Sequence, residues 1–311
     1  MELIRGLHNL RPRHRGCVVS IGNFDGVHRG HQAIVARLRE HAATLRLPAR
    51  VVLFEPQPVE FFRPQASEPR LMRLREKLAA LAVLGVDGVL CLRFDRRLAD
   101  MPREEFVERL LVDGLGVRQV VVGPDFRFGH RRLGDIDYLA TAGAAAGFGV
   151  EVVPPLLLDG ERVSSTAVRQ RLAAGDLAGA ARLLGRPYTL LGRISHGDAR
   201  GRTIGFPTLN LPLHRRAVCL RGVFAVRVAG LGERPLPAVA NLGWRPTVNG
   251  TYPLLEVHVL DFSGQVYGRQ VQVEFVQRLR DERRFDSLDA LRRQIDDDVR
   301  AARAVFAQSR D

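Results

Sequence analysis

Lysine is almost missing from this 311-residue chain: of 47 basic residues only Lys77 is a lysine, and every other one is an arginine. The formal charge of +13 therefore comes from dispersed guanidinium groups, with no basic block long enough to act as a nucleic-acid-binding tail. Cysteine is scarce too. Cys17, Cys91 and Cys219 lie far apart and form no CxxC pair, which excludes a disulfide framework and a zinc site and fits a reducing cytoplasm. Aromatic residues make up only 6%, and no stacking platform for bases is evident among them. Long apolar runs are also lacking: LAALAVLGV at 78–86 falls well short of the ~20 residues needed to cross a bilayer. The opening MELIRGLHNLRPRHRG carries Arg and His where a secretory signal has its apolar run, so no export is expected.

What is present is ordinary globular composition, 46% hydrophobic and 26% charged, at a length that predicts two domains. In the first half, short apolar runs at 17–21, 51–54, 88–92, 117–122 and 150–153 alternate with segments of helical spacing, including 31–45 and a crossover helix at 102–111. Alternation of this kind predicts a parallel sheet. After about residue 184 the pattern changes to strands separated by turn signals, at 188–194, 223–228, 238–241, 254–260 and 271–276, which predicts an antiparallel barrel or sandwich. A last amphipathic helix is expected from near Ser287, which is placed to cap it. The stretch LLGRPY at 183–188 combines a helix-ending glycine with a proline, so the domains are expected at 1–184 and 185–311.

Two constellations carry chemistry. After the first strand, GNFDGVHRGHQ packs Gly22, Phe24, Asp25, Gly26, His28, Gly30 and His31 into a turn that opens a helix. Glycines let backbone approach a ligand closely, and a helix N-terminus offers N–H groups and positive dipole to phosphate. His28 and His31, three apart, lie on one side of the first helical turn. A second anion-suited helix start is VSSTAVR, with Ser164, Ser165, Thr166 and Arg169. FEPQP at 54–58 and GPDFRFGH at 123–130 follow expected strands and share their carboxyl-end rim, so Phe54, Pro56, Asp125, Phe126 and Phe128 are candidates for an aromatic substrate pocket. In the second half, GRISHGDARGRTIGFPTLN forms a Gly- and Arg-rich loop between strands, containing Gly192, Gly197, Gly201, Arg202, Thr203, Gly205 and Pro207. Downstream, LEVHVLDF places Glu256 and His258 on one side of a strand and Val257 and Val259 on the other.

The HxGH turn with the VSSTAVR segment resembles the nucleotidylyltransferase superfamily. That resemblance implies a Rossmann-like domain in which His28, His31, Ser165, Thr166 and Arg169 clamp the ATP triphosphate, with Gly22, Phe24, Asp25, Gly26, Gly30 and Ser164 completing the ATP site. GRTIGFPTLN, GVFAV, ANLGWRPT, LEVHVLDF and RDERRFDSLDAL in order resemble a flavokinase domain, which implies a barrel in which Thr208 and Asn210 hold Mg²⁺ and the ATP phosphates and Glu256 is the base. Leu209 departs from the alanine usual between those two residues.

Taken whole, the chain resembles the bacterial bifunctional riboflavin kinase/FMN adenylyltransferase family over nearly all its length. The resemblance implies an α/β domain that adenylylates FMN to FAD and an antiparallel barrel with a terminal helix that makes FMN from riboflavin, each with ATP. The five residues of the aromatic pocket would then bind flavin. The partners expected are small molecules, without nucleic acid or membrane, for a cytoplasmic monomer or weak homo-oligomer. Two other readings remain at this point: adenylyl transfer to another phosphorylated metabolite with a non-catalytic barrel, and RNA binding through the +13 charge.

Overall fold

The computed structural model describes residues 1–65, 68–196, 205–247 and 250–308. The chain divides into two compact units: Met1–Glu68 with Met72–Ser165, and Pro69–Leu71 with Thr166–Asp311.

The first unit runs β1 (Glu2–Arg5), β2 (Cys17–Ile21), α1 (Arg29–Leu45), β3 (Ala49–Glu55), α2 (Pro58–Phe62), α3 (Leu74–Val83), β4 (Gly88–Arg93), α4 (Arg96–Ala99), α5 (Arg103–Phe106), β5 (Val117–Val122), α6 (Ile136–Ala146), β6 (Gly149–Val152) and a short pair β7 (Leu157–Leu158) and β8 (Glu161–Arg162). Its sheet is parallel throughout, in the order β1-β4-β3-β2-β5-β6. Successive strand residues serve opposite faces, as the two-residue period requires. Val18, Val51, Val89 and Val121 pack with Val35 and Leu38 of α1 and Leu81 of α3. Val19, Val52, Leu90 and Val120 pack on the other face with Phe106, Leu110 and Leu139. Helices on both faces explain why the strands read as continuous apolar runs.

Two features of this unit differ from the sequence expectation. The edge strand β1 was not expected, because ELIR is too short to show a pattern; it pairs with β4, and Glu2 holds it through an ion pair to Arg13 and a hydrogen bond with the buried His14, each at 3.1 Å. The helix expected at 102–111 is only briefly α-helical: α5 passes into a π-helix over Val107–Gly114. Its buried residues are Val107, Leu110 and Leu111, and i→i+5 bonding gives it a wider turn than an α-helix.

The second unit contains α7 (Ser165–Ala173) from Thr166 onward, α8 (Leu177–Leu184), strands β9 (Thr189–Arg193), β10 (Leu209–Pro212), β11 (Gly222–Ala229), β12 (Leu236–Thr247), β13 (Gly250–Val259) and β14 (Gln270–Arg280), and α9 (Leu288–Gln308). The strands are antiparallel in the order β10-β13-β12-β11-β14-β9, and the Ser195 N–H donates to the Asn210 carbonyl at 2.8 Å, which brings the two ends together into a nearly closed barrel. Leu211, Phe224, Val226, Ala240, Leu255 and Val257 fill its interior. On the outside, Ala302 of α9 packs against Val223, Ala225 and Val239, and Arg280 grips Asp298 with two bonds of 2.8 and 2.7 Å. The segment Pro69–Leu71 is fastened within this unit, its carbonyls accepting from Arg169 Nε at 2.7 Å and Arg215 Nη1 at 2.9 Å.

Candidate active sites

In the first unit, β2 ends at Ile21 and the chain turns through 22–28 into α1. The turn is strained: Phe24, Gly26 and Val27 all have positive φ, at 47°, 84° and 42°. Side-chain-bearing residues adopt that region at a cost of about 1–3 kcal/mol each, so the surroundings must hold them there. Several bonds do so. Asp25, buried, accepts the Met72 N–H at 3.0 Å through Oδ1, and its backbone carbonyl accepts the Ser165 hydroxyl hydrogen at 2.8 Å. Lys77 Nζ donates to the Asn23 carbonyl.

His28 is the N-cap of α1: its Nδ1 accepts the His31 N–H at 3.3 Å, so the neutral ring carries its hydrogen on Nε2. The two imidazoles stack with centroids 3.6 Å apart. Gly30 is required beneath them, since a Cβ there would sit 3.2 Å from the His28 ring and 3.4 Å from the Val163 carbonyl. His31 is held well below the usual histidine range, first by burial, then by His28 and Lys77. Its Nδ1 is buried with no hydrogen-bond partner among the described residues.

The turn borders a cavity of about 760 Å³. Gly22, Phe24, His28, Gly30, His31 and Ser164 line it, together with Phe54, Asp125, Phe126 and Phe128. That volume lies within the range of small-molecule sites. Phe126 and Phe128 stack at 5.4 Å, Asp125 pairs with Arg162, and Gly134 leaves room for the Phe128 ring. Asp25, Gly26, Pro56 and Ser165 are not among the wall residues; Asp25 and Ser165 brace the turn from behind, and Pro56 follows a cis peptide bond at the end of β3. Thr166 and Arg169 belong to the second unit, where Arg169 bonds to Pro69.

Arg127 of the wall stands in the GPDFRFGH segment that the sequence marks as a site, but sequence reasoning did not single out the wall arginines Arg63, Arg131, Arg132 and Arg162. In a chain this rich in arginine their residue type carries no signal. Arg131 and Arg132, with φ of 52° and 60°, also escape notice because only backbone geometry marks them. Phe62 and Phe94, in edge-on contact at 5.7 Å, extend the aromatic wall beyond Phe54.

In the barrel, register assembles the second constellation. Asn210 of β10 lies directly opposite Glu256 of β13, which lies directly opposite Asn241 of β12. Directly paired residues share a face, so the three polar side chains form a row on the outer side of the barrel. Thr208 immediately precedes β10, and His258 Nδ1 contacts the Pro207 carbonyl at 2.9 Å. Leu209 pairs with Val257, on the interior-facing side of the strands and away from Asn210. Gly192 is buried in β9, where a Cβ would come within 2.6 Å of the Leu211 side chain; its role there is packing. Gly205 has φ of 91° and open space around it. Gly197, Gly201, Arg202 and Thr203 lie outside the described residues. Among the described residues no group of three or more His, Cys, Asp or Glu is arranged to hold a metal. Thr208 and Asn210 offer hard oxygen donors beside the Glu256 carboxylate, a set that suits Mg²⁺, which takes few protein ligands and completes its shell with phosphate and water.

Comparisons with known proteins follow the same division. Residues 10–167 match the family model described as FAD synthetase, and residues 184–306 match that of riboflavin kinase. The chain is 55% identical over 310 residues to a bifunctional riboflavin kinase/FMN adenylyltransferase of Pseudomonas fluorescens, covering 99% of each, and 52% identical to that of Escherichia coli strain K12, covering 98% of each. A crystal structure described as a macrolide-efflux protein from Streptococcus pneumoniae superimposes with a TM-score of 0.81 at 30% identity, over 97% of this chain and 99% of that one. No helix among the described residues is long and apolar enough to cross a membrane. With both family models matched in order and relatives aligned end to end, the chain belongs to the bifunctional riboflavin kinase/FMN adenylyltransferase family.

Proposed function

We propose that the protein phosphorylates riboflavin with ATP to FMN at the barrel and adenylylates FMN with ATP to FAD and pyrophosphate at the α/β domain, with the working division near 184/185. The observation that carries this reading is the coexistence, in one chain, of an HxGH turn at a nucleotide-sized cavity and a separate Asn210–Glu256 row.

In the adenylyl transfer, a phosphate oxygen of FMN attacks the α-phosphorus of ATP and pyrophosphate leaves. No protein nucleophile is required; positioning and charge neutralisation supply the rate. His28 and His31 donate to phosphate oxygens at the α1 N-terminus, with Gly22, Phe24, Gly30 and Ser164 contributing close backbone. Ser165, Thr166 and Arg169 complete the ATP clamp, while Asp25 and Gly26 shape the turn. Phe54, Pro56, Asp125, Phe126 and Phe128 take the flavin, whose flat rings suit the aromatic wall.

In the kinase, Glu256 accepts the proton of the ribityl hydroxyl as that oxygen bonds to the γ-phosphorus and ADP departs. Thr208 and Asn210 would hold Mg²⁺, which when bound neutralises phosphate charge. The loop glycines and Pro207 cradle the phosphates, with Arg202 and Thr203 from the segment outside the described residues. The enzyme acts in the cytoplasm on small molecules, as a monomer or weak homo-oligomer, and its dispersed arginines give nucleic acid no platform.

The test is to incubate the purified protein with riboflavin, ATP and Mg²⁺ and to resolve the flavins over time. FMN followed by FAD is expected; FMN alone would reassign the adenylyl acceptor.

A further inference from the structure

Lys77 is the single lysine of the chain, and it is buried to 1% exposure on α3. Burial alone does not explain its identity, since the arginine Arg50 is also buried, at 6% exposure. What distinguishes position 77 is its target. Nζ donates to the backbone carbonyl of Asn23, in the strained turn between β2 and α1. A guanidinium carries five donors in a rigid planar fork, whereas an ammonium on a flexible stem is a compact point of charge. An enclosed position beside a backbone carbonyl suits the compact charge of the second.

The surroundings of Lys77 are rigid. Glu76 beside it is buried and its carboxylate accepts the Arg73 N–H, which closes the first turn of α3. Met72, just before that helix, donates its N–H to Asp25 Oδ1. The stretch from 72 to 77 therefore grips the turn twice, at Asn23 and at Asp25. The C=O and N–H of one trans peptide point in opposite directions. Holding the Asn23 carbonyl against Lys77 consequently turns the N–H of Phe24 the other way. Gly22, Asn23 and Phe24 line the cavity and Lys77 does not, so the peptide that Lys77 holds joins two residues of the cavity wall. The grip also accounts for how Phe24 is kept at φ 47°. The same cation contributes to keeping His31 neutral.

We infer that Lys77 is a positioning residue for adenylyl transfer: its buried ammonium holds the Asn23 carbonyl and so aims the Phe24 N–H at the phosphates of ATP bound in the cavity. It touches neither substrate itself. The inference rests on adenylyl transfer taking place at this turn.

The full-length protein offers a direct probe, because labelling with ε-¹³C-lysine yields one resonance. Saturating α,β-methylene-ATP is expected to shift that resonance, and a resonance that stays put overturns the role. In parallel, Lys77→Met, close in shape and without charge, is assayed for FAD formation from supplied FMN and for FMN formation from riboflavin. FAD formation is expected to lose about tenfold or more in kcat, the scale of one charge-assisted hydrogen bond, with the KM for FMN and the rate of FMN formation held within about twofold. A folded Lys77→Met protein that adenylylates FMN within about twofold of the native rate also overturns it. Should the variant not fold, the lysine resonance decides alone. Absence of FAD formation by the native protein would instead remove the adenylyltransferase reading, a failure that the variant cannot mimic.

Discussion

Ser165 gives its hydroxyl hydrogen to the backbone carbonyl of Asp25 at 2.8 Å, across 140 residues of sequence. The bond ties the VSSTAVR segment to the strained turn that precedes α1. Ser165 is thus a brace of the first constellation as well as a candidate for its ATP clamp. Ser165→Ala is expected to lower FAD formation about fivefold, the effect of roughly 1 kcal/mol, and to leave FMN formation unchanged. Steady-state kinetics of the two reactions on the same preparation check this; equal loss of both would mean general destabilisation.

His28 has two separable duties, capping α1 and facing the cavity. His28→Ala removes both, with loss of FAD formation and about 1 kcal/mol of stability. His28→Asn keeps a good N-cap and removes the imidazole, so it is expected to recover the stability and not the FAD formation. Urea unfolding beside the flavin assay separates the two duties. Recovery of activity with Asn would assign His28 to the cap alone.

The alternation of the first half and the turn-rich second half were legible because each strand residue serves one face and because parallel strands, covered on both sides, run apolar. The HxGH turn was legible because two histidines three apart stand out in a chain with nine histidines. The short β1 was not, since its hold comes from Glu2 reaching Arg13 and His14. Nor was the π-helical stretch, whose wider turn shares apolar residues with an α-helix. Asn241 went unmarked because only register sets it opposite Glu256, and the bracing role of Asp25 rests on a bond to Met72 far along the chain.

Glu256 and Asn210 face each other across two strands, so each can be changed without altering backbone pairing. Glu256→Gln keeps the shape and removes the base. FMN formation is expected to fall by ~10²- to 10⁴-fold, with adenylylation of supplied FMN preserved. Full kinase activity in this variant would take Glu256 out of the reaction.

Leu209 stands between Thr208 and Asn210, yet register pairs it with Val257 on the interior-facing side. Leu209→Ala should therefore leave the KM for ATP in FMN formation within about twofold and act instead through the packing of a half-buried side chain, at a cost of about 1–2 kcal/mol. A large change in that KM at unchanged stability would place the side chain against the nucleotide.

Burial and the neighbouring His28 and Lys77 hold the folded-state pKa of His31 well below its ordinary 6.5. The folded protein therefore binds fewer protons at this site than the unfolded chain once pH falls below about 6.5, and the difference lowers stability by at most about 1.4 kcal/mol per pH unit. Above that pH both states leave the ring neutral and the contribution vanishes. The stability of the native protein relative to His31→Gln should then decline as pH is lowered from 6.5 to 5 and stay level from 7 to 8, read from urea midpoints at each pH. A difference that stays flat across the acid range would mean that His31 protonates as readily in the fold as out of it.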